Sequence, residues 1–210
     1  MLETERSRVA NQSAKLAERT PGRSGNLSLR TGDRFAITPT GIPYDEIEPA
    51  DVSVVGVDDG EALAGKVPSS ETPMHTRIYT ELDVGAIVHT HSPWATTLAI
   101  LREPLPPVHY MLASAGTRIP VADYAAYGTA ELADNAVEAL RGADSMACLL
   151  ANHGLVATGP DLPTAMEILD TVEFTAQLYV RASSMGDPVQ LAEAEMERVA
   201  ERLQAYGQPD

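Results

Sequence analysis

The sequence predicts an α/β fold in which helices cover a sheet of short strands. Short apolar segments with residue types favoured in strands alternate along the chain with longer segments whose apolar residues recur at helical spacing. Clusters of glycine and proline separate these segments and mark the turns between them. Short strands mixed with helices are typical of an α/β sandwich. The 210 residues contain no internal repeat or linker, which indicates one domain spanning residues 1–210.

The first third of the chain is expected to contain a helix followed by strands. Leu2, Val9 and Leu16 recur at near-heptad spacing, which predicts an amphipathic helix that ends at the breaker cluster of residues 20–22. Apolar segments bounded by glycine and proline then predict strands at residues 26–30, 35–38 and 52–57. After a loop at residues 65–70, a second helix is expected to start near Glu71.

The remainder of the chain alternates between buried strands and helices. The apolar segment 85–91 predicts a strand, and Ser92 and Pro93 fit the N-cap and first turn of a helix that runs to residue 101. The same patterns predict helices at 129–141 and 162–185 and strands at 146–151 and 155–158. After a break at residues 186–188, a final helix is expected to carry on one face Val189, Met196, Val199 and Leu203.

The composition limits the partners that the protein is expected to have. The chain carries 30 acidic and 15 basic residues, a net charge of −15, and such a surface repels nucleic acid. No apolar run approaches the roughly 20 residues of a membrane span, and the first residues lack a signal-peptide core. Cys148 is the single cysteine, which excludes an internal disulfide. We therefore expect a cytoplasmic protein that binds neither nucleic acid nor a membrane.

The lysines argue against one kind of carbonyl chemistry. Only two of the 15 basic residues are lysines, Lys15 in a polar helical segment and Lys66 in a turn. Schiff-base catalysis needs a buried lysine with a lowered pKa. Since neither lysine lies in an apolar run, carbonyl chemistry in this chain is expected to use a metal.

Three of the five histidines follow predicted strands. His89 and His91 are two residues apart in an extended segment, so both imidazoles point to the same side with their Cα atoms about 6.5–7 Å apart. His153 follows another buried strand, and Gly154 is expected to permit a sharp turn after it. Three imidazoles of this kind are able to hold one Zn²⁺. Surface histidines at strand ends would give the same pattern.

Three loops of small residues have the composition of anion sites. Ser69 and Ser70 precede the helix expected near Glu71, where hydroxyls, free N–H groups and the helix dipole favour phosphate. Residues 22–26 and 38–41 form similar loops. Each is also compatible with an ordinary turn, and Glu71 with an acid that only complements the dipole.

Taken together and in this order, these motifs resemble the class II aldolase/adducin family, and within it the L-fuculose-1-phosphate aldolases. The motifs are G-N-L-S at 25–28, T-P-T-G-I-P at 38–43, P-S-S-E at 68–71, H-T-H at 89–91, H-Y at 109–110 and N-H-G at 152–154. The resemblance spans nearly the whole chain. It implies a three-layer sandwich with a central, mostly antiparallel sheet flanked by helices, and a homotetramer with active sites at subunit interfaces.

The resemblance also implies roles for individual residues. The ligands of Zn²⁺, or of another divalent metal, fall on His89, His91 and His153. Glu71 corresponds to the catalytic acid/base, which also binds the metal when substrate is absent, and Tyr110 to a catalytic tyrosine that reaches in from a neighbouring subunit. The phosphate-binding positions fall on Asn26, Thr40, Gly41, Ser69 and Ser70. A substrate pocket is implied at Arg23, which replaces a threonine of the family, and at Tyr127 and Tyr206.

The implied activity is zinc-dependent, reversible cleavage of a ketose 1-phosphate, such as L-fuculose 1-phosphate, to dihydroxyacetone phosphate and a small aldehyde. Three alternatives share the fold: a pentulose-5-phosphate 4-epimerase, a methylthioribulose-1-phosphate dehydratase and a non-catalytic assembly module like adducin. Glu71 argues against the epimerases, which have aspartate there. Ser70 argues against the dehydratases, which usually have alanine, and the intact histidine and glutamate set argues against the assembly module. His75, one helical turn after Glu71, is expected to hydrogen-bond it or to pack at the interface.

Overall fold

The computed structural model describes residues 1–204, which form a sheet with helices on both sides. The helices of this part of the chain are α1 (Glu3–Leu16), α2 (Thr72–Glu81), α3 (Pro93–Leu101), α4 (Ala130–Gly142), α5 (Leu162–Ser183) and α6 (Glu193–Gln204). Its strands are β1 (Asn26–Thr31), β2 (Arg34–Ile37), β3 (Ser53–Gly56), β4 (Ala62–Ala64), β5 (Ala86–Thr90), β6 (Val121–Ala122), β7 (Ala147–Leu150) and β8 (Gly154–Gly159). Two short 3₁₀ helices lie at Tyr44–Glu46 and Tyr110–Ser114.

The eight strands of the described residues form a single sheet in the order β4-β3-β2-β1-β5-β8-β7-β6. Every neighbouring pair is antiparallel except β6 and β7, which are parallel. The expectation of an α/β fold with a mostly antiparallel sheet is therefore confirmed.

Helices cover both faces of this sheet because the strand residues alternate between two cores. Along β5, Ile87 points to the core beneath α2 and α4, whereas Ala86 and Val88 point to the opposite core. The opposite core is covered by α1, α3, α5 and α6. The result is the three-layer arrangement that the sequence predicted. None of the helices within residues 1–204 is both long and apolar enough to cross a bilayer.

The structure departs from the sequence-based expectation at three places. The first helix ends at Leu16, before the breaker cluster. Strands β4 and β6 were not expected, because β4 is a largely exposed segment of three residues and β6 has only two residues. The prediction for Val189 was wrong: it precedes α6 and is 87% exposed, and the extended segment before the helix is instead fixed by the Leu191 amide, which donates to the carbonyl of Pro107.

Three central strands bring the predicted site residues to one edge of the sheet. In the β1–β5 register Asn26 lies opposite His89, and in the β5–β8 register His89 lies opposite Val156. The tight connection between β7 and β8 carries His153 to the same edge. Backbone pairing therefore determines the spacing between the predicted phosphate and metal residues.

Candidate metal centre and active site

Three imidazoles converge at the edge formed by β5 and β8. The ring centroids of His89 and His91 are 5.0 Å apart, and that of His153 lies 4.8 Å from each. One nitrogen of each ring lies within 4.8 Å of the other two. The structure therefore brings together the three histidines that the sequence singled out. Their role as metal ligands stays a prediction.

Local backbone geometry explains how His153 reaches this position. The residue with left-handed conformation in the β7–β8 turn is Asn152, at φ 55°, so the expectation that Gly154 makes the turn was wrong. Gly154 instead allows β8 to pack closely against the H-T-H segment, because glycine has no Cβ. A Cβ at this position would lie 2.3 Å from the carbonyl oxygen of Thr90 and 3.1 Å from the ring of His91. Only glycine lets β8 start this close to the H-T-H segment.

The spacing of two of the ring nitrogens fits a tetrahedral zinc site. His89 Nδ1–H donates to the carbonyl of Leu155 (3.0 Å), which leaves Nε2 without a proton and free to bind a metal. His89 Nε2 and His91 Nε2 lie 3.2 Å apart. Two nitrogen ligands 2.0–2.1 Å from a tetrahedral zinc are about 3.3 Å apart, so the observed spacing fits this donor set.

The three imidazoles are held neutral. Burial lowers the pKa of His89 well below its ordinary value, and the two other histidines add to the effect. Burial and the neighbouring His91 lower the pKa of His153 to about 4, and burial also lowers the pKa of His91. Because only the neutral ring binds a metal, all three are ready ligands near pH 7.

Glu71 lies at the start of α2 with one carboxylate oxygen held and the other free. Oε1 accepts a hydrogen bond from the Gly128 amide (3.1 Å). Oε2 is buried and has no hydrogen-bond partner among the described residues. Burial raises the pKa of this carboxyl, although the Gly128 hydrogen bond opposes the shift. A buried, unpaired carboxylate oxygen in a cleft is suited to exchange a proton with a ligand or to bind a cation.

A cleft of about 290 Å³ joins Glu71 to the histidines and the small-residue loops. Predicted site residues in its lining include His91 and His153 and all five of the predicted phosphate positions: Asn26, Thr40, Gly41, Ser69 and Ser70. The backbone amides of Thr40 and Ser69 already donate to the carbonyls of Val67 and Thr38. Their contribution to an anion site would therefore come from their hydroxyl groups.

Arg23 and two tyrosines surround the mouth of the cleft. Arg23 Nη1 donates to the carbonyl of Gly41 (2.5 Å), so the guanidinium joins two of the small-residue loops while staying exposed. Tyr127 lines the cleft as expected and is 73% exposed. Tyr124 also lines the cleft and was not predicted from the sequence.

Three predicted residues lie elsewhere. Tyr110 belongs to a 3₁₀ helix outside the cleft, packs on the ring of His109 and is 52% exposed. Tyr206 lies outside the described residues. The expectation that the His75 side chain bonds Glu71 or an interface was wrong, because it is fully buried and hydrogen-bonds Ser28 and Asn26.

Comparison with known proteins identifies the family of the chain. Residues 8–180 match the family model described as the class II aldolase and adducin N-terminal domain. The chain is 40% identical to a 5-deoxy-D-ribulose 1-phosphate aldolase of Bacillus thuringiensis serovar kurstaki, with 99% of each chain covered. It is 44% identical to a 5-methylthioribulose-1-phosphate/5-deoxyribulose-1-phosphate aldolase of Rhodospirillum rubrum, over 89% of this chain and 84% of the relative.

A solved structure extends the similarity to three dimensions. An L-fuculose 1-phosphate aldolase superposes with a TM-score of 0.92 at 42% identity, over 96% of each chain. The family match, the full-length relatives and the shared architecture lead to one conclusion: this chain belongs to the class II aldolase family and is a lyase.

Proposed function

We propose that the protein is a zinc-dependent aldolase that reversibly cleaves a ketose 1-phosphate to dihydroxyacetone phosphate and a small aldehyde. The observation that supports this proposal best is a cleft whose lining includes two imidazoles of the three-histidine cluster, a buried carboxylate and the hydroxyls of the small-residue loops. The histidines would hold a metal at the ketone, the carboxylate would exchange a proton with C3, and the hydroxyls would bind the phosphate of such a substrate.

His89, His91 and His153 are the residues that would hold the metal. The donor set, the neutral rings and the 3.2 Å nitrogen spacing all suit zinc. A divalent cation bound there supplies Lewis acidity at the substrate ketone, which offsets the negative charge that develops when the C3–C4 bond breaks.

Glu71 is the proposed acid/base. The Gly128 amide fixes Oε1, so that Oε2 remains to carry the proton. During cleavage this oxygen gives a proton to C3 of the three-carbon fragment, and during synthesis it removes that proton. The raised pKa suits this work, because a carboxyl near its ordinary value would be deprotonated at almost all times near pH 7.

The phosphate end of the substrate is assigned to the part of the cleft lined by Asn26 and the small-residue loops. Asn26, Ser69 and Ser70 offer neutral donors, and Arg23 adds a positive charge at the mouth. On a protein with a net charge of −15, such local donors must provide the attraction for a phosphate.

Two ketose 1-phosphates are the first candidates for the substrate. The relatives act, according to their names, on 5-deoxyribulose 1-phosphate, 5-methylthioribulose 1-phosphate or L-fuculose 1-phosphate. L-Fuculose 1-phosphate and 5-deoxyribulose 1-phosphate share the C1 phosphate, the C2 ketone and a terminal methyl group. Tyr124 and Tyr127 at the mouth of the cleft offer apolar ring surface for such an end.

The sister activities are less well supported. An epimerase would need the same C3–C4 cleavage but would retain both fragments, and no named relative given above is an epimerase. The dehydratase alternative shares the lyase class and differs in the bond that breaks. The adducin-like assembly role is set aside, because the chain is an enzyme of the aldolase family.

We further propose a homotetramer in which Tyr110 completes the cleft of a neighbouring subunit and handles the proton of the C4 hydroxyl. Tyr110 is half exposed outside its own cleft. Met111 and Phe174, close to it on the same surface, are also exposed apolar residues. A second copy covering this surface would bury all three side chains.

Assay of the purified protein against a panel of sugar phosphates tests the proposed function. L-Fuculose 1-phosphate or 5-deoxyribulose 1-phosphate should yield dihydroxyacetone phosphate, EDTA should abolish the reaction, and zinc should restore it. His89→Ala should lose stoichiometric zinc, whereas His109→Ala, at a histidine outside the cluster, should keep it. Activity that survives complete metal removal, or epimerised pentulose 5-phosphate without cleavage of any ketose 1-phosphate, would contradict the proposal.

A further inference from the structure

A row of four buried polar side chains leads from the core beneath α2 to the wall of the cleft. Tyr79 Oη lies 2.7 Å from Ser28 Oγ, which lies 2.7 Å from His75 Nδ1. His75 Nε2 in turn lies 2.6 Å from Asn26 Oδ1. All four side chains are at most 3% exposed, and only Asn26 lines the cleft. We call these residues the Tyr79–Asn26 row.

Counting protons determines the direction of the hydrogen bonds in this row. Burial lowers the pKa of His75 to about 3, so the ring is neutral and carries one N–H. In one direction Tyr79 donates to Ser28, Ser28 donates to His75 Nδ1, and His75 Nε2–H donates to Asn26 Oδ1. Each of these three donated protons then has an acceptor.

The opposite direction leaves a buried proton without an acceptor. If Asn26 donated to His75 Nε2, the ring would donate to Ser28 and Ser28 to Tyr79. The phenolic proton of Tyr79 would then lack an acceptor among the described residues, or, if Ser28 accepted from Tyr79 as well, the buried hydroxyl proton of Ser28 would lack one. Leaving such a group unsatisfied is unfavourable by about 1–3 kcal/mol. The row therefore runs from Tyr79 towards Asn26.

This direction has a consequence at the cleft. Because Oδ1 of Asn26 accepts from His75, the NH₂ group is the part of the amide that remains for a ligand. The opposite orientation would present an oxygen, which repels a phosphate. Asn26 also pairs with His89 across the β1–β5 register, so its position relative to the predicted metal site is fixed by backbone hydrogen bonds.

We propose that His75 is a positioning residue that holds the Asn26 amide with its NH₂ group, and not its oxygen, turned towards the phosphate of the substrate. The proposal rests on the proposed function, since it assigns the phosphate end of a ketose 1-phosphate to this part of the cleft. His75 itself does not touch the substrate.

Two substitutions of His75 separate positioning from packing. His75→Leu keeps an apolar volume but removes the donor to Asn26, whereas His75→Gln restores an N–H donor. For the zinc-loaded protein we expect His75→Leu to weaken the binding of inorganic phosphate by roughly 10- to 100-fold, the effect of one hydrogen bond to a charged group. KM for the ketose 1-phosphate should rise by a similar factor with kcat nearly unchanged, and His75→Gln should recover most of the loss.

A matched control addresses loss of stability. Ser145 is a buried side chain that hydrogen-bonds the carbonyls of Ala115 and Ala147, away from the cleft. Ser145→Ala should lower the unfolding temperature without changing phosphate binding. Unchanged phosphate binding in a folded His75→Leu protein, or a His75→Gln protein as defective as His75→Leu, would overturn the proposal.

The wild-type protein offers a readout that needs no substitution. Long-range ¹H–¹⁵N NMR should show His75 as the tautomer with its proton on Nε2, and a proton on Nδ1 would overturn the proposal. Neither this measurement nor phosphate binding requires turnover. A protein that binds phosphate with the expected His75 dependence but cleaves no ketose 1-phosphate would therefore count against the proposed function alone.

Discussion

At the scale of single residues, the chemistry of the cleft depends on asymmetry within side chains. Glu71 has one oxygen held by a backbone amide and one without a partner, and His89 has one nitrogen held by a backbone carbonyl and one free. In both cases a backbone group fixes the orientation of the side chain, and the proposed function assigns the chemistry to the other atom. Substitutions that retain the held atom and alter the free one are therefore the informative ones.

Replacing Glu71 by glutamine should remove most of the turnover and leave the metal in place. The amide oxygen of glutamine still accepts the Gly128 hydrogen bond, but the amide cannot exchange a proton with C3. We expect kcat to fall by about 10²- to 10⁴-fold, the usual contribution of a general acid or base. Steady-state kinetics beside zinc analysis of the same sample test this, and near-normal cleavage would remove Glu71 from the proposed role.

At the scale of elements, the site depends on how closely β8 approaches the end of β5. Gly154→Ala should push these strands apart, because the new Cβ would lie 2.3 Å from the carbonyl oxygen of Thr90. We expect a loss of about 1–3 kcal/mol in the free energy of unfolding, as for other overpacked sites, and weaker zinc binding. Chemical denaturation and zinc titration measure the two effects.

Gly142→Ala is the matched control for this substitution. Gly142 is the last residue of α4, and a Cβ there would meet nothing within 4 Å. Alanine should be neutral or slightly stabilising at this position and should leave zinc affinity unchanged. A Gly154→Ala protein that behaves like Gly142→Ala would show that close packing at this point is not required.

The same element scale shows what the sequence was able to predict. Central strands such as β5 and β8 contain short runs of apolar residues, so their existence followed from the residues alone. Strands β4 and β6 form at the two ends of the sheet, where short segments pair with a neighbour without an apolar pattern of their own. In the last helix the periodicity extended to Val189, but the residue of that segment that packs on the core is Leu191.

The sequence predicted the parts of the site that consist of particular side-chain types. It could not predict the contacts that backbone groups make. Histidines at strand ends are recognisable in the sequence by their residue type and spacing. The hydrogen bond from Gly128 to Glu71 joins residues 57 positions apart through an amide that every non-proline residue has, so no sequence signal exists for it. The partners of His75 likewise follow from the packing of α2 on β1, which is a tertiary contact.

At the scale of the whole molecule, buried neutral histidines make folding sensitive to acid. His75 has a pKa of about 3 in the folded protein and about 6.5 when unfolded. Below pH 6.5 His75 therefore binds a proton in the unfolded chain but not in the native protein. The free energy of unfolding consequently falls as the pH drops towards 3. The slope for this one histidine is at most about 1.4 kcal/mol per pH unit.

Urea denaturation at pH 7 and pH 5 measures this contribution. Wild-type protein should lose more stability between the two values than His75→Gln, because glutamine does not titrate. The carboxylates and the other histidines are the same in both proteins, so their contributions cancel when the two losses of stability are compared. An equal loss in both proteins would mean that His75 is protonated in the native state above pH 5.

The proposed tetramer predicts that two different inactive subunits can form an active site together when they assemble. If each active site combines Glu71 of one subunit with Tyr110 of its neighbour, Glu71→Gln and Tyr110→Phe subunits should complement each other. Unfolding and refolding an equal mixture of the two impaired proteins should restore activity in about a quarter of the sites, because each site draws its two residues from independently assorted subunits. Glu71→Gln mixed with His89→Ala is the control without rescue, since Glu71 lines the cleft with His91 and His153 of its own chain, and His89 packs against both of these rings. Kinetic assays of the refolded mixtures test this prediction. If the equal mixture is no more active than its separate components, Tyr110 does not act in the cleft of a neighbouring subunit.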